Sequence, residues 1–435
     1  MLVCFSHLRW DFVWQRPQHL LSRFARQMEV AFVEEPVFAP GPASLQIRQA
    51  SPHLTVVTPV LPDDAGLPGG FGPETNPLIR DLLTGWFGGQ PSPVGATATV
   101  TATANGGANG RTKRCPDAGR STSPISTTAG TDGPAPIFWY YTPMALGAEP
   151  AGVTTSLVVY DAMDELAKFR FAPAALVERE TRLMREADLV FTGGPSLYRA
   201  RQGRHPAVHC FPSGVEAAHF AQATCAECRH PELTGTNRPT VGFYGVIDER
   251  IDFDLIAGVA AARPEWTLAL VGPTAKVAPD DLPQAPNIRY FGLRPYAELP
   301  AFLACFDVAI LPFARNEATQ FISPTKTLEY LAGGKPIVST PIVDVIDLYG
   351  EVVAFAETPE RFVAAIEGLL EEPSAVRRLR RERAQAVLAR HDWDTIVGEM
   401  VALMDAALGR AYPTLLPVAA AAAGVREPAY ATGAA

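Results

Sequence analysis

Cysteine is scarce, six in 435 residues, which excludes the disulfide framework of a small secreted domain. No run of about 18 apolar residues occurs, so no membrane-spanning helix is expected. The Ala-rich stretch Leu415–Val425 is too short and too weakly apolar to serve as one. Charge is also sparse: 19% of residues are charged, with a net charge of −9. That balance excludes a nucleic-acid or anionic-membrane binder held by overall charge. The opening MLVCFSHLRWDF has neither a basic start nor an apolar core, so no signal peptide is expected and a cytoplasmic location is. A Walker-type phosphate loop is missing as well, because Gly242 and Gly245 form one strand turn with no Lys following.

What is present fits a chain with a real core. Hydrophobic residues make up 47%, and the length suits two or three domains. Short apolar runs read as strands at Met1–Phe5, Val30–Val33, Thr55–Val57, Ile137–Tyr141, Leu157–Tyr160, Leu189–Thr192 and Val208–Phe211. A second series follows at Thr240–Tyr244, Thr267–Val271, Ile288–Phe291, Val308–Leu311, Pro336–Ser339 and Glu351–Phe355. Helical patterns separate them, among them Pro17–Gln27, Ala174–Glu186, Phe253–Ala261, Tyr296–Ala304, Thr325–Ala332 and Pro359–Leu370. Strands alternating with helices predict an α/β chain with mostly parallel sheets. Two such units facing each other would place a ligand cleft between them.

The expected layout is an N-terminal unit over residues 1–212, a Pro-rich hinge over 213–238 and a C-terminal unit over 239–390. A last helix around Asp392–Leu408 (391–411) and a tail at 412–435 complete it. Gly88–Pro136, rich in Gly, Ala, Thr, Ser and Pro, is predicted to be a disordered insertion, and the tail is predicted to fray.

The most informative stretch is Phe321–Thr340, FISPTKTLEYLAGGKPIVST. Ser323 is expected to cap a helix starting at Pro324, and Gly333–Gly334 to end it. The N–H groups of Thr325, Lys326 and Thr327 would then be free to receive a diphosphate. Lys326 adds a formal charge, and Glu329, on the same helix face, can accept hydrogen bonds from a ribose. An ordinary capped helix carrying a Lys–Glu surface pair is the competing account of these residues.

This segment resembles the donor-binding segment of GT-B glycosyltransferases near glycosyltransferase family 4, also called glycosyl transferases group 1. Thr240–Ile256, Leu270–Pro273 and Asn287–Pro312 are similar to the strands and Gly turn of the family's donor domain. Ala187–Phe220 is similar to the end of its acceptor domain and the hinge. His7–His19 and Val159–Phe169 look like signatures of a bacterial subgroup that modifies surface polysaccharides. The resemblance implies a GT-B fold of two Rossmann-like doubly wound domains. Its implied activity is transfer of a sugar from a nucleotide-diphosphate sugar to a glycan or lipid-linked hydroxyl acceptor. Gly245, Arg250, Arg294, Ser323, Thr325, Lys326 and Glu329 fall in the donor site on this likeness. One departure stands out: the Glu-x7-Glu usual in family 4 has Phe321 in place of its first Glu and keeps Glu329.

For acceptor chemistry, Asp161 and Asp164 are candidate bases near the cleft-facing end of Leu157–Tyr160. The loop residues Arg9, Trp10, Gln15, Arg16 and His19 are candidate contacts to the acceptor or the donor phosphates, with an exposed loop packed by Trp10 and Trp14 on the domain edge as the competing account. Lys326 stabilises the leaving group. No cofactor or metal is expected, on the reading that no Asp-x-Asp segment stands out as a donor motif and that helix dipoles replace the ion. Cys225-x-x-Cys228 with His209 and His230 nearby has metal-like elements but lacks a second ligand pair. The Arg run in Val376–Arg383 reads as a solvated helix face, with peripheral contact to anionic lipid at the inner membrane face as the sharper option. No nucleic-acid partner is expected. A catalytically inactive GT-B scaffold and a GT-B nucleotide-sugar epimerase are the alternatives.

Overall fold

A computed structural model describes residues 1–89, 134–235 and 239–409. Most of the expected insertion (88–136) and the tail after residue 412 lie outside the described residues.

The first unit is built on β1 (Leu2–Ser6), β2 (Val30–Glu34), β3 (Val37–Ala39), β4 (Ser44–Ser51), β5 (Leu54–Pro62), β6 (Ile137–Tyr140), β7 (Leu157–Ala162), β8 (Leu189–Thr192) and β9 (Val208–Cys210). They order as β3-β5-β2-β1-β6-β7-β8-β9, with β4 antiparallel on β5. The other pairings are parallel, as an all-buried run such as Leu2–Ser6 requires. Side chains alternate between faces: Leu2 and Cys4 join one core cluster, and Val3 and Phe5 join the other. The sequence pattern passed over β3 and β4, because β4 is mostly exposed and carries no apolar run.

The second unit is built on β10 (Thr240–Tyr244), β11 (Thr267–Val271), β12 (Ile288–Tyr290), β13 (Val308–Leu311), β14 (Ile337–Ser339) and β15 (Ala354–Phe355). Its order is β12-β11-β10-β13-β14-β15, all parallel. Strand order reverses at β10/β13 here and at β1/β6 in the first unit. These switch points open crevices at the carboxyl ends of the strands.

After the second unit the chain returns to the first. The helix Trp393–Ala407 places Trp393, Met400 and Met404 in the same apolar cluster as Leu2 and Leu20. Val215 N–H donates to His391 C=O at 2.8 Å, so the outgoing and returning crossings run side by side.

Candidate functional site

The two switch points face one another. One cleft is lined from the first unit by Trp14, Gln15, Arg16 and Asp164, and from the second by Gly245, Arg250, Arg294, Ser323, Thr325, Lys326 and Glu329. Every residue expected in the donor site is therefore in one cavity, although the sequence spreads them over 85 positions.

The helix at its centre begins later than expected. It spans Lys326–Ala332, and Ser323 is not its cap: the Ser323 hydroxyl has no partner among the described residues. Thr327 N–H donates to Pro324 C=O at 3.2 Å, so the first turn closes tightly and uses that donor. The backbone N–H groups of Thr325 and Lys326 are left without a protein partner among the described residues. Gly333 ends the helix, and Gly334 follows at φ +69°.

Glycine shapes the floor. Gly245 leaves β10 at φ +138°, and a methyl there would collide with Lys326 Cε. Gly272 leaves β11 at φ +142°, and a methyl there would collide with Gly245 C=O. Both backbones come close because neither carries a side chain.

Burial dominates the electrostatics. It lowers the Lys326 ammonium, with Arg250 adding to the effect and Glu329 opposing it. Burial pushes the Glu329 carboxyl up to about 7 against the pull of Lys326. Burial also pushes Asp164 up to about 6, opposed by Arg250 and reinforced by Asp248. Arg250 grips Asp248 through two guanidinium nitrogens, at 2.9 and 2.7 Å. Arg294 donates to Phe291 C=O and to Glu232. The two arginines thus reach the cleft already held in place.

The two candidate bases part company. Asp164 lines the cleft. Asp161 does not: it is fully buried and accepts from Arg16 Nε at 3.0 Å and Arg16 NH2 at 3.0 Å. A third nitrogen of Arg16 donates to Phe211 C=O at 2.7 Å. Asp161 belongs to the last, inward-turned part of β7, where only an ion pair makes a buried carboxylate tolerable.

The acceptor-loop expectation needs the same correction, since of its five residues Gln15 and Arg16 line the cleft and the other three do not. Arg9 is tied to Glu34 and to the carbonyls of Glu35 and Pro36. Trp10 is buried against Phe32. His19 takes a hydrogen bond from Trp14 and stacks on Trp393 with ring centroids 4.9 Å apart. The sequence reading missed Trp14 as a cleft residue; it stacks across the domain boundary on Tyr296, centroids 5.7 Å apart. A second crossing contact was also missed. Asp344 accepts from Ser196 N–H at 2.9 Å, and Gly194 lies so close that a methyl there would strike the Asp344 carboxylate. Neither contact has a local signal, because each partner is ordinary in its own segment.

Asp-x-Asp spacing does occur, at Asp252-Phe253-Asp254 and Asp392-Trp393-Asp394. Both first carboxylates are spent as helix caps: Asp252 accepts from Leu255 N–H and Asp392 from Thr395 N–H, each at 2.9 Å. Asp394 is paired with Arg23 and Arg26. Cys225 and Cys228 sit in short 3-10 turns at the surface, and among the described residues no cluster of three metal-ligating side chains occurs.

Known proteins share this architecture. The family described as glycosyl transferase-like matches residues 254–402. A putative teichuronic acid biosynthesis glycosyltransferase of Bacillus subtilis is 27% identical over 243 residues, which cover 53% of this chain and 60% of that protein. A phosphatidyl-myo-inositol mannosyltransferase of Propionibacterium freudenreichii is 24% identical, over 59% of this chain and 64% of that protein. The chain thus spans under two thirds of these curated relatives. Among solved structures, a sucrose-phosphate synthase from Thermosynechococcus elongatus superposes with a TM-score of 0.65 at 14% identity, covering 94% of this chain and 99% of that one. An α,α-trehalose-phosphate synthase (UDP-forming) from Burkholderia vietnamiensis gives a TM-score of 0.57 at 14% identity, covering 94% and 99%. Its two facing sheets and these likenesses show a GT-B fold, and residues 254–402 are similar to the glycosyl transferase-like family.

Proposed function

We propose that this chain transfers a sugar from a nucleotide-diphosphate sugar to a hydroxyl acceptor in cell-surface polysaccharide or glycolipid synthesis. The observation that carries it is the Lys326 ammonium lying over the bare backbone of Gly245, beside two unpartnered N–H groups in a half-enclosed cleft. A diphosphate fits there, held by fixed dipoles, by Lys326 and by Arg250. Glu329, one helical turn on, accepts from the ribose hydroxyls. Biosynthetic transfer to a surface glycan is the role named for the Bacillus relative, which supports that setting.

The bond from the anomeric carbon to the diphosphate oxygen breaks with its electron pair going to that oxygen. Lys326 and the Thr325 and Lys326 N–H groups receive the charge. The acceptor oxygen bonds to the anomeric carbon, and its proton passes to Asp164, whose raised affinity for protons suits a base working near neutrality. This course needs no Glu at position 321. The residues present require no metal for the donor, since Lys326, Arg250 and the free N–H groups supply the positive field.

Isothermal titration of Lys326→Ala and Glu329→Ala with nucleoside diphosphates tests the assignment. Lys326→Ala is expected to weaken binding by about 100-fold and Glu329→Ala by about tenfold. Unchanged affinity in both, with folding retained, would overturn it.

A further inference from the structure

At the edge of the second sheet opposite the cleft, two adjoining cavities of about 410 and 270 Å³ share Arg229, Gly334, Lys335, Arg380 and Arg381 as walls. Their floor is the amino-end of the sheet, where Lys335 precedes β14 and Asp307 precedes β13. One wall is the helix Ser374–Leu388.

That helix carries no apolar stripe over its first two turns. Its packed stripe is Ala384, Val387 and Leu388. Continued toward the N-terminus at helical spacing, the stripe passes through positions 377, 380 and 381, where an amphipathic helix would carry apolar residues. All three are arginines that line the cavities: Arg380 is half-buried, Arg377 and Arg381 sit exposed at the rim, and Val376 and Leu379 are exposed at 52% and 48%. The arginine run is a solvated face except at Arg380, and its edge also forms a wall of the groove.

The groove has more positive charge than its own carboxylates meet. Glu372 takes Arg380 at 2.9 Å and Arg377 at 3.7 Å. Arg381 has no ion pair among the described residues, and the Nε of Arg229 is buried without a hydrogen-bond partner there. Four arginines of the groove, at 229, 377, 380 and 381, thus have Glu372 as the one carboxylate paired with any of them among the described residues, on a chain whose net charge is −9. Cations gathered into a concavity repel one another unless an anion joins them.

We infer that this groove is a second binding site, separate from the donor cleft, for a phosphate-bearing anion. Guanidinium forks match phosphate oxygens two at a time. A soluble diphosphate or sugar phosphate and a phospholipid head group share that chemistry.

The test is isothermal titration of the full chain with inorganic pyrophosphate, set beside the double variant Arg377→Glu/Arg381→Glu. Both side chains are at the solvent edge of the groove, so the variant is expected to fold, as circular dichroism can confirm. Two classes of site are expected in the wild type. The double variant loses one of them, with affinity at least about tenfold weaker, and Lys326→Ala removes the other. Should the double variant misfold, Arg381→Gln carries the same expectation. Sedimentation with vesicles of phosphatidylglycerol in phosphatidylcholine separates the sources: binding by the wild type but not the variant assigns the groove to a lipid head group. Identical pyrophosphate isotherms for wild type and variant, together with no difference in vesicle binding, overturn the proposal.

Discussion

The side chain of Lys326 crosses Gly245 so closely that hydrogen alone fits on the Gly245 α-carbon. A residue from the strand-to-helix turn of β10 and one from a helix 81 positions later form a single surface. A cation above bare backbone is where a diphosphate can touch both.

Gly245→Ala is expected to displace Lys326 and to strain a backbone at φ +138°. Nucleotide-diphosphate affinity should fall by about tenfold or more, with a stability loss of about 1–3 kcal/mol. Titration calorimetry beside a thermal melt checks both. Affinity equal to wild type would detach Lys326 from the donor.

Asp161 and Asp164 are three residues apart and are expected to fail differently. Asp161→Ala leaves the buried Arg16 guanidinium without its partner and should cost about 3–5 kcal/mol of stability. Asp164→Asn should keep the melting temperature near wild type and lower kcat by about 100-fold or more. Melts and turnover measured on both variants check this. A stable Asp161→Ala protein would return Asp161 to the list of candidate bases.

Glu329 ties stability to pH. Its carboxyl is at about 7 when folded, against an ordinary value near 4.5. The folded state therefore holds the proton more tightly, so this group favours folding at low pH. That contribution is lost as pH rises from about 4.5 to 7, by roughly 3 kcal/mol. Glu329→Gln removes the dependence. Above pH 7 the variant should melt higher than wild type in the absence of ligand, and the gap should close below about pH 4.5. Parallel melting curves at every pH would show that Glu329 is not buried as described.

Gly194 sets the approach of the two domains at Asp344. Gly194→Val is expected to push them apart without disturbing either core. Small-angle scattering should show a larger radius of gyration, and kcat/KM should drop with each domain still folded. An unchanged radius would mean that the Ser196–Asp344 contact does not hold the closed arrangement.

Local chemistry made much of this legible. Runs such as Leu2–Ser6 and Thr240–Tyr244 are buried on both faces, so an unbroken apolar string identified them. Lys326 and Glu329 stood out because one helical turn puts both on one side of a short helix ended by Gly333–Gly334. The exposed strand β4 had no such string, and the true start of the helix was set by a tight turn at Pro324 that a Ser-Pro pair does not specify.

Residue order alone determined the two parallel units, because strand burial and helix spacing are short-range properties, while the donor-site expectation came from the likeness to GT-B transferases. Packing decided the rest. It turned Asp161 inward to Arg16 while leaving Asp164 in the cleft, carried Trp14 across to Tyr296, set Asp344 against Gly194, and brought the arginines at 377, 380 and 381 to one groove. Each depends on segments far apart in the chain coming within a few ångströms, and the free energy of a buried charge or a stacked ring exists only once both partners are there.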